Sequence, residues 1–173
     1  MKLTIYQIDA FTSEIFKGNP AAVVFLDNWL DDEILQSVAQ ENNLSETAYL
    51  VPIESGYHIR WFTPCVEVDL CGHATLASSH AIFSELGFSG QKVQFMSRSG
   101  KLEVWRKNNN YFMDFPAEEP LPCELPKKIV LGLQASPEKI LRSTDYIIVL
   151  KSEQEVRELS PDYRKIAQLD SRG

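Results

Sequence analysis

The stretch EVDLCGHATLASSH, residues 67–80, joins an extended segment to a helix and decides how the chain folds. Extended, apolar-flanked residues end at Cys71, Gly72 and His73. The residues that follow are rich in alanine, serine and leucine, which predicts a helix over 72–86. Small or apolar residues lie almost all round this helix, and a helix without a polar face is normally buried centrally. A thiol, a glycine and an imidazole are therefore expected at the mouth of a buried helix.

Strands are predicted on both sides of this helix. Alternating β-branched and aromatic residues predict a strand over 3–11, and an unbroken apolar run predicts a buried strand over 21–26. Asp31 is expected to cap a helix over 32–41. Further strands are predicted over 45–52, 57–63, 91–97, 101–107 and 110–115. These elements predict a sheet curled around one internal helix.

The remaining sequence predicts a second, less complete unit. Residues 116–126, PAEEPLPCELP, hold four prolines in eleven positions, which is typical of a linker. One strong strand follows over 145–150. Short helices are predicted over 127–134, 152–158 and 161–168. We therefore expect two domains, 1–116 and 117–173, and we expect the second to be only begun when the chain stops.

Composition excludes several classes of function. The net charge is -7, and no basic face for phosphate binding is visible, so nucleic acid is not expected as a partner. The N-terminus has no signal-peptide pattern, and the apolar run 21–26 is too short to span a bilayer. The three cysteines, Cys65, Cys71 and Cys123, lack disulfide-framework or zinc-site spacing. The chain is predicted to be cytoplasmic, with reduced thiols, no bound metal and no membrane contact.

Gly72 and His73 are candidates for binding a ligand. The first N–H groups of a helix lack internal partners, and its dipole is positive there, so this helix mouth suits a carboxylate. The alternative for Gly72 is a tight strand-to-helix turn that requires glycine. His73 has the chemistry to donate a hydrogen bond or to move a proton near neutral pH. Its alternative is a structural hydrogen bond to a nearby backbone carbonyl.

Three further polar residues lie in apolar surroundings. Glu46 is flanked by apolar residues, and burial would raise its pKa towards the range of a general base; its alternative is a solvent-facing strand position. Cys71 at the helix N-terminus is either an activated thiolate or a buried structural thiol. Asn19, beside the buried strand, is explained by default through structural hydrogen bonding.

Three blocks together resemble the PhzF-like isomerases, the phenazine biosynthesis-like family. They are IDAFTSEIFKGNPAAVVFL at 8–26, NLSETAYL at 43–50 and IRWFTPCVEVDLCGHATLASSHAI at 59–82, in the family's order and at about its spacing. The later stretch 147–173 resembles the opening of the family's second half. The resemblance implies the α+β diaminopimelate epimerase-like fold, in which a mostly antiparallel, barrel-like sheet surrounds a buried central helix. It also implies that a second such domain is incomplete in this chain.

The resemblance also implies an activity and a set of site residues. Family members are isomerases that are generally cofactor-independent and often dimeric. Glu46 matches the family's acid/base glutamate, and Gly72 and His73 match the residues beside it in the pocket. In the phenazine enzymes this glutamate relays a proton between carbons of a dihydro-hydroxyanthranilate. We therefore expect proton transfer on a small carboxylate-bearing metabolite, with Asn19, Gly72 and His73 binding it.

Two alternatives stay open. The sequence CGHAT also resembles the motif of proline racemases and diaminopimelate epimerases, in which the cysteine corresponding to Cys71 is one of two opposed thiol acid/bases. The second alternative is a non-catalytic, truncated domain that self-associates or binds a partner through unpaired sheet edges. If the stop at Gly173 is real, the second central helix and half of the active site are absent, and catalysis by this chain alone is then doubtful.

Overall fold

The computed structural model describes residues 2–14, 16–108 and 110–171. The chain divides into two compact units, Met1–Pro116 and Ala117–Gly173. Among the described residues, no helix combines the length and the apolar character needed to cross a membrane. Arg172 and Gly173, where the predicted second domain stops, lie outside the described residues, and the two-domain assignment stays a prediction.

The first unit contains one large sheet and two helices. Its strands are β1 (Ile5–Ala10), β2 (Asn19–Phe25), β3 (Glu46–Ile53), β4 (Gly56–Phe62), β5 (Glu67–Val68), β6 (Lys92–Ser97), β7 (Gly100–Lys107) and β8 (Asn110–Asp114). Its helices are α1 (Asp32–Asn42) and α2 (Gly72–His80), and a π-helical segment, Ala81–Glu85, continues α2. The described residues of this unit therefore confirm the predicted mixed α+β architecture.

The described strands of the first unit form a single eight-stranded sheet in the order β1-β2-β3-β4-β6-β7-β8. Strand β5 lies off this path and pairs with Trp61 and Phe62 at the end of β4. The β2–β3 and β4–β6 pairs are parallel, and the other pairs are antiparallel. One face of this sheet packs around α2. The predicted central helix and mostly antiparallel sheet are thus confirmed.

The core around α2 explains why this helix has no polar face. Ala74 and Ala77 are fully buried, and Ile82 in the π-helical segment is fully buried too. They pack in one cluster with core residues of β2, β3, β4, β6 and β7. The buried hydroxyls of α2 donate to backbone carbonyls four residues earlier, as Ser78 Oγ does to Ala74 O at 2.7 Å. The hydroxyl groups of α2 thereby form hydrogen bonds within the helix, so the helix does not need a polar face in contact with solvent.

A second apolar cluster covers the opposite face of the same strands. Leu35 and Ala39 of α1 pack with Val24 of β2 and Tyr49 of β3. The Tyr49 hydroxyl donates to the Leu35 carbonyl at 2.7 Å. Strand β2 therefore lies between two helices, and a strand covered on both faces is expected to be an unbroken apolar run.

The second unit is smaller. It contains β9 (Leu121–Pro122), β10 (Lys139–Arg142), β11 (Tyr146–Val149), α3 (Lys127–Leu133), α4 (Glu153–Arg157) and α5 (Tyr163–Ile166). Within residues 117–171, the strands form one antiparallel sheet in the order β11-β10-β9. The helices and β11 were predicted, whereas β9 and β10 were not.

Two further local predictions need correction. Asp31 precedes α1 as predicted, but its side chain makes no capping hydrogen bond. The helix predicted over 72–86 is α-helical only to His80 and then π-helical, with hydrogen bonds that span five residues, as Leu86 N donates to Ala81 O at 3.0 Å. A π-helical turn in a buried helix contains the same residue types as an α-helical turn, so the composition of the sequence does not distinguish the two.

Candidate active site

Glu46 begins β3 and points to the face of the sheet that holds α2. Side chains alternate along a strand, so Glu46 shares its face with Ala48 and Leu50, which are fully buried in the cluster around α2. Its parallel neighbour in β2 is Ala21, also fully buried. The Glu46 side chain is 19% exposed. The carboxylate therefore lies at the edge of an apolar core. It does not occupy the solvent-facing strand position that was the alternative for Glu46.

His73 brings an imidazole against this carboxylate. It lies in the first turn of α2 and its side chain is 9% exposed. Its Nε2 is 3.3 Å from Glu46 Oε2. That distance permits an ionic contact but the pair does not form a hydrogen bond, and Nε2 is buried without a hydrogen-bond partner among the described residues. The ring contacts the side chains of Glu46 and Cys71, whereas the structural alternative predicted a backbone carbonyl.

Cys71, the residue directly before α2, is the third member of the cluster. Its Sγ lies 3.3 Å from His73 Nδ1, and the residue is 7% exposed. Burial raises the pKa of the Cys71 thiol to about 12, and the nearby Glu46 carboxylate acts in the same direction. Backbone N–H groups of Ala74 and His73 lower this pKa, as expected at a helix N-terminus, but burial outweighs them. The thiol is protonated at neutral pH.

Gly72 occupies the first helical position between these two side chains. A Cβ added here would meet only the Phe115 ring, at an ordinary 3.5 Å, and Gly72 is not among the glycines with positive φ. The turn into α2 thus does not require glycine. This observation weakens the structural explanation of Gly72, and its predicted contact with a ligand stays a prediction.

Asn19 lies beside Glu46 but contacts it only through a neighbour. It begins β2, and its Oδ1 accepts a hydrogen bond from Ser45 Oγ at 3.4 Å. Gly18, just before it, has φ +83°, and a Cβ there would come within 2.4 Å of Ala10 O, so this turn does require glycine. The geometry holds Asn19 at the same end of the β2–β3 pair as Glu46.

The structure thus brings Glu46, Cys71 and His73 together, with Gly72 between the latter two. One donor atom from each of the three side chains lies within 4.8 Å of the others, close enough to share a metal ion. The partial positive charge at the N-terminus of α2 opposes a cation and favours an anion at this place. The predicted absence of a metal and of a cofactor stays a prediction.

Two neighbours of the site were not predicted from the sequence. Ser45 carries the hydroxyl that holds Asn19, and its only signal is its position directly before Glu46. Phe115 follows β8 and places its ring beside Gly72. Contacts between residues this distant in sequence depend on tertiary structure.

Comparison with known proteins defines the class of this protein. The sequence model of the PhzC-PhzF family, described as phenazine biosynthesis-like protein, matches residues 8–173. An uncharacterized isomerase of Pseudomonas aeruginosa is 47% identical over 173 residues, which are 100% of this chain and 67% of that protein. The chain therefore belongs to the phenazine biosynthesis-like, or PhzF-like, family. It spans about two thirds of the length of this curated relative.

Solved structures show the fold. A PhzF-family phenazine biosynthesis protein of Enterococcus faecalis superposes with a TM-score of 0.90 at 40% identity, over 99% of this chain and 66% of that one. A predicted epimerase of Pseudomonas aeruginosa, 18% identical, superposes with a TM-score of 0.74 over 98% of this chain and 68% of that one. The chain has the diaminopimelate epimerase-like fold, and its family is one of isomerases.

Proposed function

We propose that this protein is an isomerase that moves a proton between two carbons of a small carboxylate-bearing metabolite, without a cofactor and with Glu46 as acid and base. The observation that carries the proposal is the 3.3 Å contact between Glu46 Oε2 and His73 Nε2 at the N-terminus of the buried helix α2. A carboxylate, an imidazole and free helix N–H groups at one place are suited to proton transfer beside a bound anion.

Each group takes one part of the reaction. The Glu46 carboxylate removes a proton from a substrate carbon, and the electron pair of that C–H bond shifts along the adjacent unsaturated system. The same carboxyl group then returns the proton to the carbon at the far end, so that substrate and product differ only in the position of one hydrogen. His73 orients the substrate through its ring N–H, and its contact with Glu46 keeps the carboxylate in place.

The substrate carboxylate is proposed to bind at the first turn of α2. The missing side chain at Gly72 lets an anion reach the first N–H groups of the helix, where the helix dipole stabilises negative charge. Asn19, held by Ser45, supplies an amide at the same end of the β2–β3 pair as Glu46. Asn19, Gly72 and His73 are the proposed binding residues.

The two alternative functions gain different support. The thiol acid/base alternative requires Cys71 to ionise, and the elevated pKa of its thiol opposes that. Self-association is supported by β1 and β8, which are the two ends of the sheet in the described residues. We accordingly propose that the protein forms a homodimer, and a monomeric mass in size-exclusion chromatography with light scattering would contradict this.

Deuterium incorporation tests the proposed reaction. The chain is incubated in D2O with the dihydro-hydroxyanthranilate of the phenazine enzymes and with a panel of small unsaturated and 2-amino carboxylates, and NMR follows loss of C–H signals. For a compound that exchanges, Glu46→Gln should reduce the rate by about 10²–10⁴ because the base is lost. Glu41→Gln, the same change at an exposed position of α1, is the matched control.

Two outcomes would contradict the proposal. Unchanged exchange in Glu46→Gln would remove Glu46 from the mechanism. Absence of exchange for every compound, with the wild-type fold intact by circular dichroism, would show that this chain does not catalyse proton transfer on these carboxylates.

A further inference from the structure

Cys71 is the one member of the site cluster to which the proposed reaction gives no task. It is nevertheless held firmly at the start of α2. Its carbonyl oxygen accepts hydrogen bonds from Thr75 Oγ1 at 2.6 Å and from Thr75 N at 3.3 Å. Its Sγ lies 3.3 Å from His73 Nδ1, and one ligand atom each of Cys71, His73 and Glu46 lies within 4.8 Å of the others. A thiol fixed so closely against this ring has the geometry to influence it.

We propose that Cys71 is a positioning residue whose S–H donates to Nδ1 of His73, which holds the ring in the tautomer that carries its hydrogen on Nε2. That hydrogen then faces the carboxylate of Glu46. This inference rests on the proposed function only in the role that it gives to Glu46, because the tautomer itself is a property of the free protein.

The direction of these bonds follows from the donors and acceptors present. A carboxylate without a proton only accepts, so a hydrogen on the ring nitrogen 3.3 Å from Glu46 Oε2 makes this contact attractive. In a neutral imidazole the other nitrogen, Nδ1, is then an acceptor. The group 3.3 Å from Nδ1 is the Cys71 thiol, whose single hydrogen has Nδ1 and the Glu46 carboxylate as acceptors within reach, and we assign it to Nδ1. In the proposed arrangement the Cys71 S–H donates to Nδ1, and the hydrogen on Nε2 is on the side of the Glu46 carboxylate, 3.3 Å away.

The opposite tautomer is disfavoured at both ends. With its hydrogen on Nδ1, the ring would present the Nε2 lone pair to the Glu46 carboxylate at 3.3 Å, and two acceptors would face each other in a buried place. At the other end, the N–H would have only a thiol sulfur to accept it, and sulfur is a weak acceptor. Burial raises the pKa of the Cys71 thiol, so its hydrogen is retained and available for donation at neutral pH.

The consequence for catalysis is indirect. A fixed tautomer directs the Nε2–H to the carboxylate and to a substrate bound beside it, so Glu46 stays oriented for proton removal. A ring that changes tautomer would turn this contact from attraction to repulsion. Cys71 thus acts through His73 and does not itself exchange a proton with the substrate.

NMR of the histidine rings tests this inference without any substrate. The chain is labelled with ¹⁵N-histidine, and long-range ¹H–¹⁵N correlations at neutral pH identify the tautomer of each ring. His73→Gln assigns the His73 signals, and His58 and His80, the other two of the three histidines, report whether each variant is folded. We expect the Nε2–H tautomer for His73 in wild type and in Cys71→Ser, because a hydroxyl also donates. In Cys71→Ala we expect a shift to a mixture of tautomers.

Several results would overturn the inference. A wild-type His73 with its hydrogen on Nδ1, or with both nitrogens protonated, would contradict it even if Cys71→Ala failed to fold. An unchanged His73 tautomer in folded Cys71→Ala would show that the thiol does not determine it. Cys65→Ala is the control, since Cys65 is exposed and should leave all three rings unchanged.

Rates of the exchange reaction distinguish a positioning role of Cys71 from the proposed role of Glu46 and from a role of Cys71 as acid or base. With any compound that exchanges, Cys71→Ala should lower the rate by about tenfold or more, within the range of a lost acid/base orientation. Cys71→Ser should restore it, because the hydroxyl replaces the donor. A rate that is abolished in Cys71→Ser but retained in Glu46→Gln would overturn the inference in favour of Cys71 as an acid/base.

Discussion

The two units of this chain differ in how they bury their residues. The first unit closes an eight-stranded sheet on α2 and covers its other face with α1, so that two apolar clusters share the same strands. In the second unit, within residues 117–171, only Ile129 and Gly132 of α3 are buried. A core of that size offsets little of the conformational entropy that is lost on folding.

This difference shows why the candidate site lies where it does. Glu46, Cys71 and His73 are attached to elements whose backbones are fixed by a large core, and a site built on rigid elements holds its geometry. The second unit has no comparable cluster among its described residues. The comparison therefore predicts that substitutions of the same kind will have unequal effects in the two units.

The largest effect is expected from removing core volume. Leu50 in β3 is fully buried, so Leu50→Ala should lower the free energy of unfolding by about 2–5 kcal/mol. Leu131 in α3 is 58% exposed, and Leu131→Ala should change it by less than about 0.5 kcal/mol. Urea titrations measure both.

The two units can be followed separately in that experiment. All three tryptophans, Trp29, Trp61 and Trp105, lie in the first unit, so their fluorescence reports it alone, while circular dichroism reports the whole chain. Equal destabilisation by the two substitutions would show that the difference in burial does not control stability.

A smaller effect is expected at two helical glycines, one in each unit. A Cβ at Gly132 would lie 2.6 Å from Ile166 Cγ1, so Gly132→Ala must displace the α3–α5 contact. Overpacking lowers the free energy of unfolding by about 1–3 kcal/mol, and the better helix propensity of alanine raises it by about 1 kcal/mol. We therefore expect Gly132→Ala to lower the free energy of unfolding by about 1 kcal/mol. Amide hydrogen exchange in α3 and α5 measures it.

Gly72→Ala is the matched substitution, and it should separate folding from function. Its Cβ has ordinary space, so the thermal unfolding temperature should be unchanged or slightly raised. Binding of a carboxylate at the first turn of α2 should weaken, which a raised KM in the exchange reaction would show. A loss of stability in this variant would restore the structural explanation of Gly72.

The smallest effect is expected at a surface ion cluster of the first unit. The pKa of Glu103 is lowered to about 2, chiefly by the hydrogen bond from Gln94 and then by those from Lys92 and Lys101. A carboxylate with a lowered folded-state pKa stabilises the protein above its ordinary pKa, and that contribution is lost as pH falls from about 4.5 towards 2. Solvent screens this cluster, so the contribution is small.

Unfolding temperatures across this pH range provide the test. Glu103→Gln should unfold at a lower temperature than wild type at pH 7, and the difference should vanish as the pH approaches 2. Glu153→Gln in the second unit, which removes an exposed pair with Arg157, is the control and should show a weaker pH dependence. A difference in unfolding temperature between wild type and Glu103→Gln that increases as the pH falls would contradict the prediction.

The successes and failures of the sequence analysis follow the same division. The apolar run in β2 and the small-residue pattern of α2 were interpreted correctly because a buried element must match its surroundings along its whole length. Strands β9 and β10 were missed because Leu121–Pro122 and Lys139–Arg142 are too short to show a period. Their pairing with each other and with β11 makes them strands.

The sequence by itself determined the family, the sheet around a central helix and the residue types at the candidate site, because motifs and periodicity are local properties. Only the tertiary structure decided which of these residues meet. The register of β2 with β3 and the position of α2 between the strands bring Glu46 to His73, and burial leaves Cys71 a thiol and not a thiolate. Distances and burial depend on chain segments far apart in sequence, and no local pattern encodes them.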